Sequence, residues 1–60
     1  MGNKWKVLVI HTGGGTYYKQ YRGLSAWDKP VEGAETGDEL LEIDTKKVFV
    51  FAGGQWHPFN

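Results

Sequence analysis

The residues of this chain that could do chemistry are two histidines and a run of carboxylates. His11 and His57 could share a metal ion or a proton if they met across a sheet, but a single histidine on a strand is more often a hydrogen-bonded structural residue. The carboxylates are Glu32, Glu35, Asp38, Glu39, Glu42 and Asp44. Their spacing fits no EF-hand calcium loop, and the chain has no cysteine to supply a thiolate ligand. We therefore predict no metal site, no cofactor and no catalytic residue.

The three consecutive glycines at positions 13–15 are a second candidate for chemistry. A phosphate-binding loop needs a helix after it, whose N-terminus faces the anion, whereas the tyrosine-rich residues 16–22 have the pattern of a strand. Residues 7–16 also resemble the nucleophile strand of L-asparaginases, in which a threonine of a Thr-Gly-Gly-Thr turn attacks the substrate amide. This chain has an additional glycine there, and a strand followed by a turn accounts for the likeness. We interpret the glycines as a tight or bulged hairpin turn.

Runs of β-branched and aromatic residues bounded by Gly, Asp and Asn predict a chain of short strands. Residues 4–12 and 16–22 form two antiparallel strands about the glycine turn, and residues 39–44 and 48–52 form two more. A turn at Gly53 and Gly54 then leads to a very short strand that carries Trp56. No segment shows a convincing helical period. We predict a single all-β domain over residues 1–60, a small antiparallel meander or partly open barrel of four to five strands without substantial helix.

The first predicted strand is apolar on both of its faces. Val7 and Val9 lie on one face, and Leu8 and Ile10 lie on the other. Strands that are buried on both sides read as nearly continuous apolar runs. The pattern therefore predicts either a central strand or a strand that a neighbouring subunit covers.

The link between the third and fourth predicted strands, residues 44–47, contains no glycine. It suits a type I turn followed by a residue in the left-handed conformation, which is usually glycine. Here Lys46 falls at that position, and we expect its side chain to cost roughly 1 kcal/mol there.

A long connection, residues 23–37, separates the second and third predicted strands. Its proline, scattered glycines and acidic side chains have no apolar period and indicate a surface loop. Leu24 and Trp27 are the apolar exceptions, and we expect them to tuck the loop back against the sheet. Loops of this length in a compact domain are uncommon and often functional.

Size and composition limit what the chain can be. A chain of 60 residues without cysteine has a thin core and no disulfide to supplement it, which favours homo-oligomerisation. Seven basic and seven acidic residues give a net charge of zero, whereas nucleic-acid binders normally carry a basic excess. No apolar run approaches the ~20 residues that span a membrane. We therefore expect a soluble, unexported protein without a nucleic-acid or membrane partner.

Aromatic residues make up 15% of the chain. In a domain this small most of them must form the core, and the surplus is expected where a subunit or partner binds, since Tyr and Trp are enriched at interfaces. Stacking on bases or sugars is the less favoured alternative. The residues predicted at an interface or at the rim of the core are Tyr17, Tyr18, Tyr21, Trp27 and Trp56.

The order of residues from 21 to 56 resembles a pattern found in small virion proteins of tailed bacteriophages. The shared elements are Tyr21-Arg-Gly-Leu-Ser25, Lys29-Pro30, Gly33, Gly37, Glu42-Ile-Asp-Thr45, Val48-Phe-Val-Phe51 and Gly54-Gln-Trp56. In those proteins the module is a short β-meander, often written Glu-x-Asp-Thr-Gly-Lys-x-Tyr followed by Gly and Trp. This chain departs from it by Lys46 in place of the turn glycine and Phe49 where Tyr is common.

The resemblance implies a structural part of the virion, such as a head-fibre, capsid-decoration or auxiliary capsid protein, and it implies no catalytic residue. We therefore expect a non-enzymatic protein that contacts the major capsid protein or another virion protein, self-associates (with a trimer favoured), and passes through the host cytoplasm before assembly. The loop with Trp27 would serve as a docking arm. The alternative is a small SH3-like or OB-like binding module for a peptide or single-stranded nucleic acid.

Overall fold

The computed structural model describes residues 4–59, which form a single open sheet. Its strands are β1 (Lys6–Gly13), β2 (Thr16–Gly23), β3 (Glu39–Glu42), β4 (Lys47–Ala52) and β5 (Gln55–Pro58). Their order in the sheet follows their order in the sequence. The prediction of a small all-β fold is confirmed. Within residues 4–59 no helix is long and apolar enough to cross a membrane.

One of the four strand pairs runs parallel, although the sequence predicted antiparallel neighbours throughout. β1–β2, β3–β4 and β4–β5 are antiparallel, while β2 and β3 pair in parallel, with Tyr21 opposite Leu40. Parallel neighbours need a connection long enough to return the chain to the starting end of the sheet. The loop of residues 24–38 makes that return, so the length of this loop was the signal for a parallel pair.

The glycine turn between β1 and β2 is a bulged hairpin, as predicted. Gly14 and Gly15 have φ angles of 61° and 80°, the positive values that a two-residue type I′ turn requires. The register shifts between His11 and Gly13, so β1 carries one extra residue beside the turn. This bulge increases the local twist of the hairpin.

The turn between β3 and β4 contains the predicted left-handed lysine. β3 ends at Glu42, two residues before the predicted end at position 44. Lys46 has a φ angle of 63°, and its N–H donates to the carbonyl oxygen of Glu42 at 2.7 Å. A non-glycine residue in this region carries a steric cost between its Cβ and the following carbonyl.

Lys46→Gly is expected to stabilise the domain by about 0.5–1 kcal/mol. The substitution removes a left-handed cost of ~1–2 kcal/mol, part of which is offset by the greater freedom of glycine in the unfolded chain. Urea unfolding followed by tryptophan fluorescence measures the change. Lys47→Gly is the matched control because Lys47 lies in β4, where glycine is unfavourable. A destabilised Lys46→Gly variant would contradict the strain at this position.

The two faces of the sheet differ sharply in burial. Every buried residue of the described chain points to one side, which we name the core face: Trp5, Tyr21, Gly23, Asp38, Leu40, Glu42 and Phe51. Trp5, Tyr21 and Leu40 form the centre of the core, and Trp27, Phe49 and Trp56 pack around them. We name the other side the open face, since none of its residues is buried.

β1 lies at an edge of the sheet and contacts only β2 among the strands. Val7 and Val9 are 45% and 52% exposed. The prediction of a central strand is therefore wrong, because the apolar pattern on both faces does not come from burial within the chain. The other explanation, a covering subunit, stays a prediction.

Candidate functional site

The loop of residues 24–38 lies across the core face and forms the second layer of the domain. Two indole N–H groups hold it, Trp5 donating to the carbonyl oxygen of Asp28 and Trp56 donating to that of Pro30, each at 2.7 Å. Trp27 meets Trp5 edge to face with ring centroids 5.8 Å apart. The prediction that Leu24 and Trp27 fold the loop back thus holds for Trp27 and is wrong for Leu24, whose side chain does not pack in the core. The loop is a lid on the core, and Leu24 is exposed beside it.

A buried carboxylate fixes the C-terminal end of the loop. Asp38 is 2% exposed and accepts hydrogen bonds from the backbone N–H groups of Lys19 at 3.0 Å and Glu35 at 2.9 Å. The ammonium group of Lys19 also lies 3.1 Å from the Asp38 carboxylate, and it contacts the Glu35 carboxylate at 3.0 Å. Burial, the largest influence, acts to raise the pKa of Asp38, but the two N–H groups and the ammonium together lower it below its ordinary value.

A second buried carboxylate ties the loop to β3. Glu42 is 4% exposed and accepts hydrogen bonds from the Lys29 ammonium and the Thr45 hydroxyl, each at 2.6 Å. The hydrogen bond from Lys29 is the main reason why the pKa of Glu42 is lowered. The same ammonium lies 4.6 Å from the ring centroid of Phe49. This side chain therefore joins the loop, β3 and β4.

An exposed carboxylate holds the beginning of the loop. Asp44 accepts from the Ser25 hydroxyl at 2.6 Å and from the Ser25 N–H at 3.0 Å. The hydroxyl bond is the main reason why the pKa of Asp44 is lowered. Three of the acidic residues that suggested a metal or catalytic site, Asp38, Glu42 and Asp44, thus hold the loop in place. Among residues 4–59 no group of three metal-ligating side chains comes together.

The two histidines lie on opposite edges of the sheet. His11 is on β1 and His57 on β5, which are separated by four strand spacings, or roughly 19 Å. Strand alternation also places His11 on the core side and His57 on the open side. The Nε2 atom of His57 instead contacts the carbonyl oxygen of Ala52 at 3.0 Å. The structure therefore excludes a shared metal ion or proton between them in one chain.

The five aromatic residues predicted at an interface or core rim fall into two groups. Tyr21 is buried in the core, where burial raises the pKa of its hydroxyl. Trp27 and Trp56 are half-buried around it, and the Trp56 and Tyr21 rings meet edge to face at 5.6 Å. Tyr17 is 56% exposed next to His11, and Tyr18 is half-buried on the open face. Only the last two direct much of their surface away from the core.

The open face carries seven partly exposed apolar side chains although no layer of the described chain covers it. Its half-buried apolar side chains are Leu8, Ile10, Tyr18, Leu41, Val48, Val50 and Ala52. They belong to β1, β2, β3 and β4, and the registers of the sheet bring them to one side. A solvent-facing sheet surface normally carries polar residues at these positions.

A short polar row crosses the open face between two apolar areas. Arg22 donates to the side-chain oxygen of Gln20 through Nε at 3.2 Å and through a terminal nitrogen at 3.0 Å. The Gln20 amide nitrogen in turn contacts a carboxylate oxygen of Glu39 at 3.4 Å. Positive and negative charge thus lie at opposite ends of the row. This gives the apolar surface a polar element that can orient a partner.

No protein-family model, curated protein or solved structure matches the chain. The likeness to phage virion proteins consequently rests on the residues quoted for it and stays a prediction. The open sheet also differs from the closed barrel of the SH3-like or OB-like alternative, because β1 and β5 do not pair with each other. The candidate functional regions that remain are the open face and the free edge of β1.

Sequence reasoning missed the open face as a unit. Period-two alternation marked Leu8, Ile10, Val48 and Val50 as apolar, but it could not tell which side of the sheet the loop would cover. The signal that could have resolved this is the placement of Asp38 and Glu42, which share a side with the core and meet the lysines Lys19 and Lys29 there.

Proposed function

We propose that this chain is a non-enzymatic structural protein of a tailed-bacteriophage virion that attaches to the capsid or to another virion surface. The observation that carries the protein-contact part is the open face. Its apolar side chains lie in two areas, Leu8, Ile10 and Tyr18 on β1 and β2 and Leu41, Val48, Val50 and Ala52 on β3 and β4. Exposed apolar areas that are rimmed by polar residues often mark protein–protein contacts.

The chemistry of the described residues supports a structural role over an enzymatic one. The charged groups that are buried are neutralised by partners, as Asp38 is by Lys19 and Glu42 is by Lys29. Every buried side-chain polar atom of residues 4–59 has a hydrogen-bond partner. A catalytic centre instead needs a nucleophile, acid or base held ready for a substrate.

The virion assignment rests on the sequence resemblance, and the mechanism follows from the open face. Docking would bury the apolar area around Val50, and the row from Arg22 to Glu39 would fix the orientation of the partner. The partner is the major capsid protein or another virion protein. Self-association is part of this proposal, and the resemblance favours a trimer. The protein would pass through the host cytoplasm and end in the virion.

The test is density-gradient sedimentation of phage particles assembled in cells that express this chain from the phage genome encoding it. The wild-type chain is expected to migrate with the particles in a fixed ratio to the major capsid protein. Val50→Glu is expected to reduce that ratio at least about tenfold, since it places a charge between the apolar side chains of Val48 and Ala52 on β4. Val31→Glu is the matched control, because Val31 is a 56% exposed valine of the loop.

Both variants need circular dichroism spectra that match the wild type, so that lost attachment is not lost folding. Wild-type chain at the top of the gradient, away from the particles, would overturn the virion proposal. Attachment of Val50→Glu at the wild-type ratio would leave the virion role standing and remove the open face as its surface.

A further inference from the structure

The free edge of β1 has a defined row of outward hydrogen-bonding groups. In β2, the N–H of Lys19 and the carbonyl oxygen of Gly23 point to the β3 side, where they meet Asp38 and Ile43. The N–H and C=O groups of successive residues in a strand point to opposite sides, so those of the even-numbered residues of β2 point to β1. Their partners in β1 are Lys6, Leu8 and Ile10. The outward row of β1 therefore consists of the odd-numbered residues.

The outward residues of β1 are Val7, Val9 and His11. Within residues 4–59 no strand lies beyond them. Their N–H and C=O groups form a template for another strand, and natural sheets usually protect such an edge with charge, proline, a bulge or a short strand. β1 has a bulge only at its turn end, between His11 and Gly13. The strand is otherwise unprotected, being eight residues long and apolar on both faces, with Lys6 as its only Lys or Arg and no acidic residue.

The other edge of the sheet is protected. The N–H of Phe59 donates to the carbonyl oxygen of Val48 at 2.7 Å, which places the odd-numbered residues of β5 toward β4. Trp56 and Pro58 therefore face outward, and proline has no N–H to donate. β5 is four residues long and offers one outward donor. Head-to-tail pairing of β1 with β5 of another copy would leave most of the β1 row without partners.

We infer that the occupant of the β1 edge is β1 of a second copy, paired antiparallel across a two-fold axis. When Val9 lies opposite Val9 of the other copy, Val7 lies opposite His11, and each outward residue meets an outward residue. These reciprocal pairs supply about six backbone hydrogen bonds. Lys6 then lies opposite Thr12, away from the same lysine of the other copy. The pairing therefore opposes no like charges.

The pairing would join two five-stranded sheets into one of ten strands. Leu8 of one copy lies beside Ile10 of the other, so the two open faces become continuous. The protected β5 edges end the assembly at two copies, since β1 is already used. This inference specifies how the self-association in the proposed function occurs, and it rests on that part of the proposal. The geometry favours a dimer over the trimer that the resemblance implies.

The test is sedimentation equilibrium over a concentration series with Val9→Pro and Val9→Thr. The wild type is expected to show a monomer–dimer equilibrium, and Val9→Pro to raise its dissociation constant at least about tenfold, because proline removes an outward N–H without removing a bond to β2. Val9→Thr is the matched control, since it is β-branched and keeps the N–H. A wild-type monomer at all concentrations, a trimer, or an unchanged dimer in folded Val9→Pro would each overturn the inference.

If the proline variant unfolds, a cysteine variant still tests whether Val9 lies opposite Val9 of a second copy. Val9→Cys gives the chain its single cysteine, and in the proposed register the two Cα atoms lie about 5.5 Å apart, within the range that a disulfide spans. Mild oxidation is expected to cross-link it at least tenfold faster than Val31→Cys. Equal rates would contradict the register.

The edge and the open face can be distinguished in the same preparations. Val9→Pro is expected to lose the dimer and to keep attachment of the monomer to phage particles, although more weakly. Val50→Glu is expected to lose attachment and to keep the dimer. A dimer without attachment therefore rejects the virion attachment and leaves the edge pairing standing, whereas attachment of a strictly monomeric wild type rejects the edge pairing and the self-association and leaves the virion attachment standing.

Discussion

Gly23→Ala is expected to destabilise the domain by about 3 kcal/mol, near the upper end for overpacked cores. A Cβ at this position would overlap Cε3 of Trp5 and lie 2.8 Å from Cε3 of Trp27. Neither ring can move away freely, because Trp5 is bonded to Asp28 and the two indoles meet edge to face. The thermal midpoint should fall by ten degrees or more, about 4–8 °C per kcal/mol in a domain of this size.

Gly14→Ala separates the crowding at Gly23 from the ordinary effect of replacing a glycine. Gly14 has a φ angle of 61° and open space around the position of a Cβ, so alanine there should cost only ~1 kcal/mol of backbone strain. In a Trp5→Phe background, which lacks the overlapping ring atoms, the Gly23→Ala cost should shrink. Equal losses at Gly23 and Gly14 would show that the Trp5–Trp27 contact tolerates a methyl group.

The strands could be predicted from the sequence because their signals are local. Alternation of apolar residues located all five strands to within a few residues, and the absence of glycine between β3 and β4 identified Lys46 as left-handed. The parallel pairing of β2 with β3 could not be predicted in the same way. It depends on where the loop of residues 24–38 travels, and hence on contacts between residues far apart in the sequence.

The candidate functional regions show the same limit. The apolar character of β1 was evident from the sequence. An edge strand with unpaired N–H and C=O groups and a central strand can have the same composition, however, so Val7 and Val9 alone could not distinguish the two. Tyr21 and Trp56 were selected for their residue types, and their place in the core depends on the loop that covers them. The residue types thus predicted that these aromatic side chains would be at least partly buried, but whether they lie in the core or at an interface depends on the path of the chain.

Asp38→Ala is expected to destabilise the domain by about 3 kcal/mol, at the lower end for breaking a buried ion pair. It leaves the N–H groups of Lys19 and Glu35 without their carboxylate acceptor and releases the end of the loop that covers the core. Glu35→Ala is the matched control, because its side chain is 67% exposed and shares the same ammonium. An exposed ion pair of this kind contributes less than about 1 kcal/mol. Urea unfolding at pH 7 compares the two.

The dependence of stability on pH tests the same carboxylate through its charge. Because the pKa of Asp38 is lower in the folded chain than its ordinary value, the stability it contributes is present above pH ~4 and is lost as the pH falls through the folded pKa. Asp38→Asn removes this contribution while keeping the size of the side chain. Its free energy of unfolding should therefore fall less steeply than that of the wild type between pH ~5 and ~2, with Glu42 and Asp44 supplying the slope that remains. Parallel curves for the two proteins would mean that the N–H groups and the Lys19 ammonium do not stabilise the charged form of Asp38. The indole hydrogen bonds of Trp5 and Trp56 would then be what holds the loop against the core.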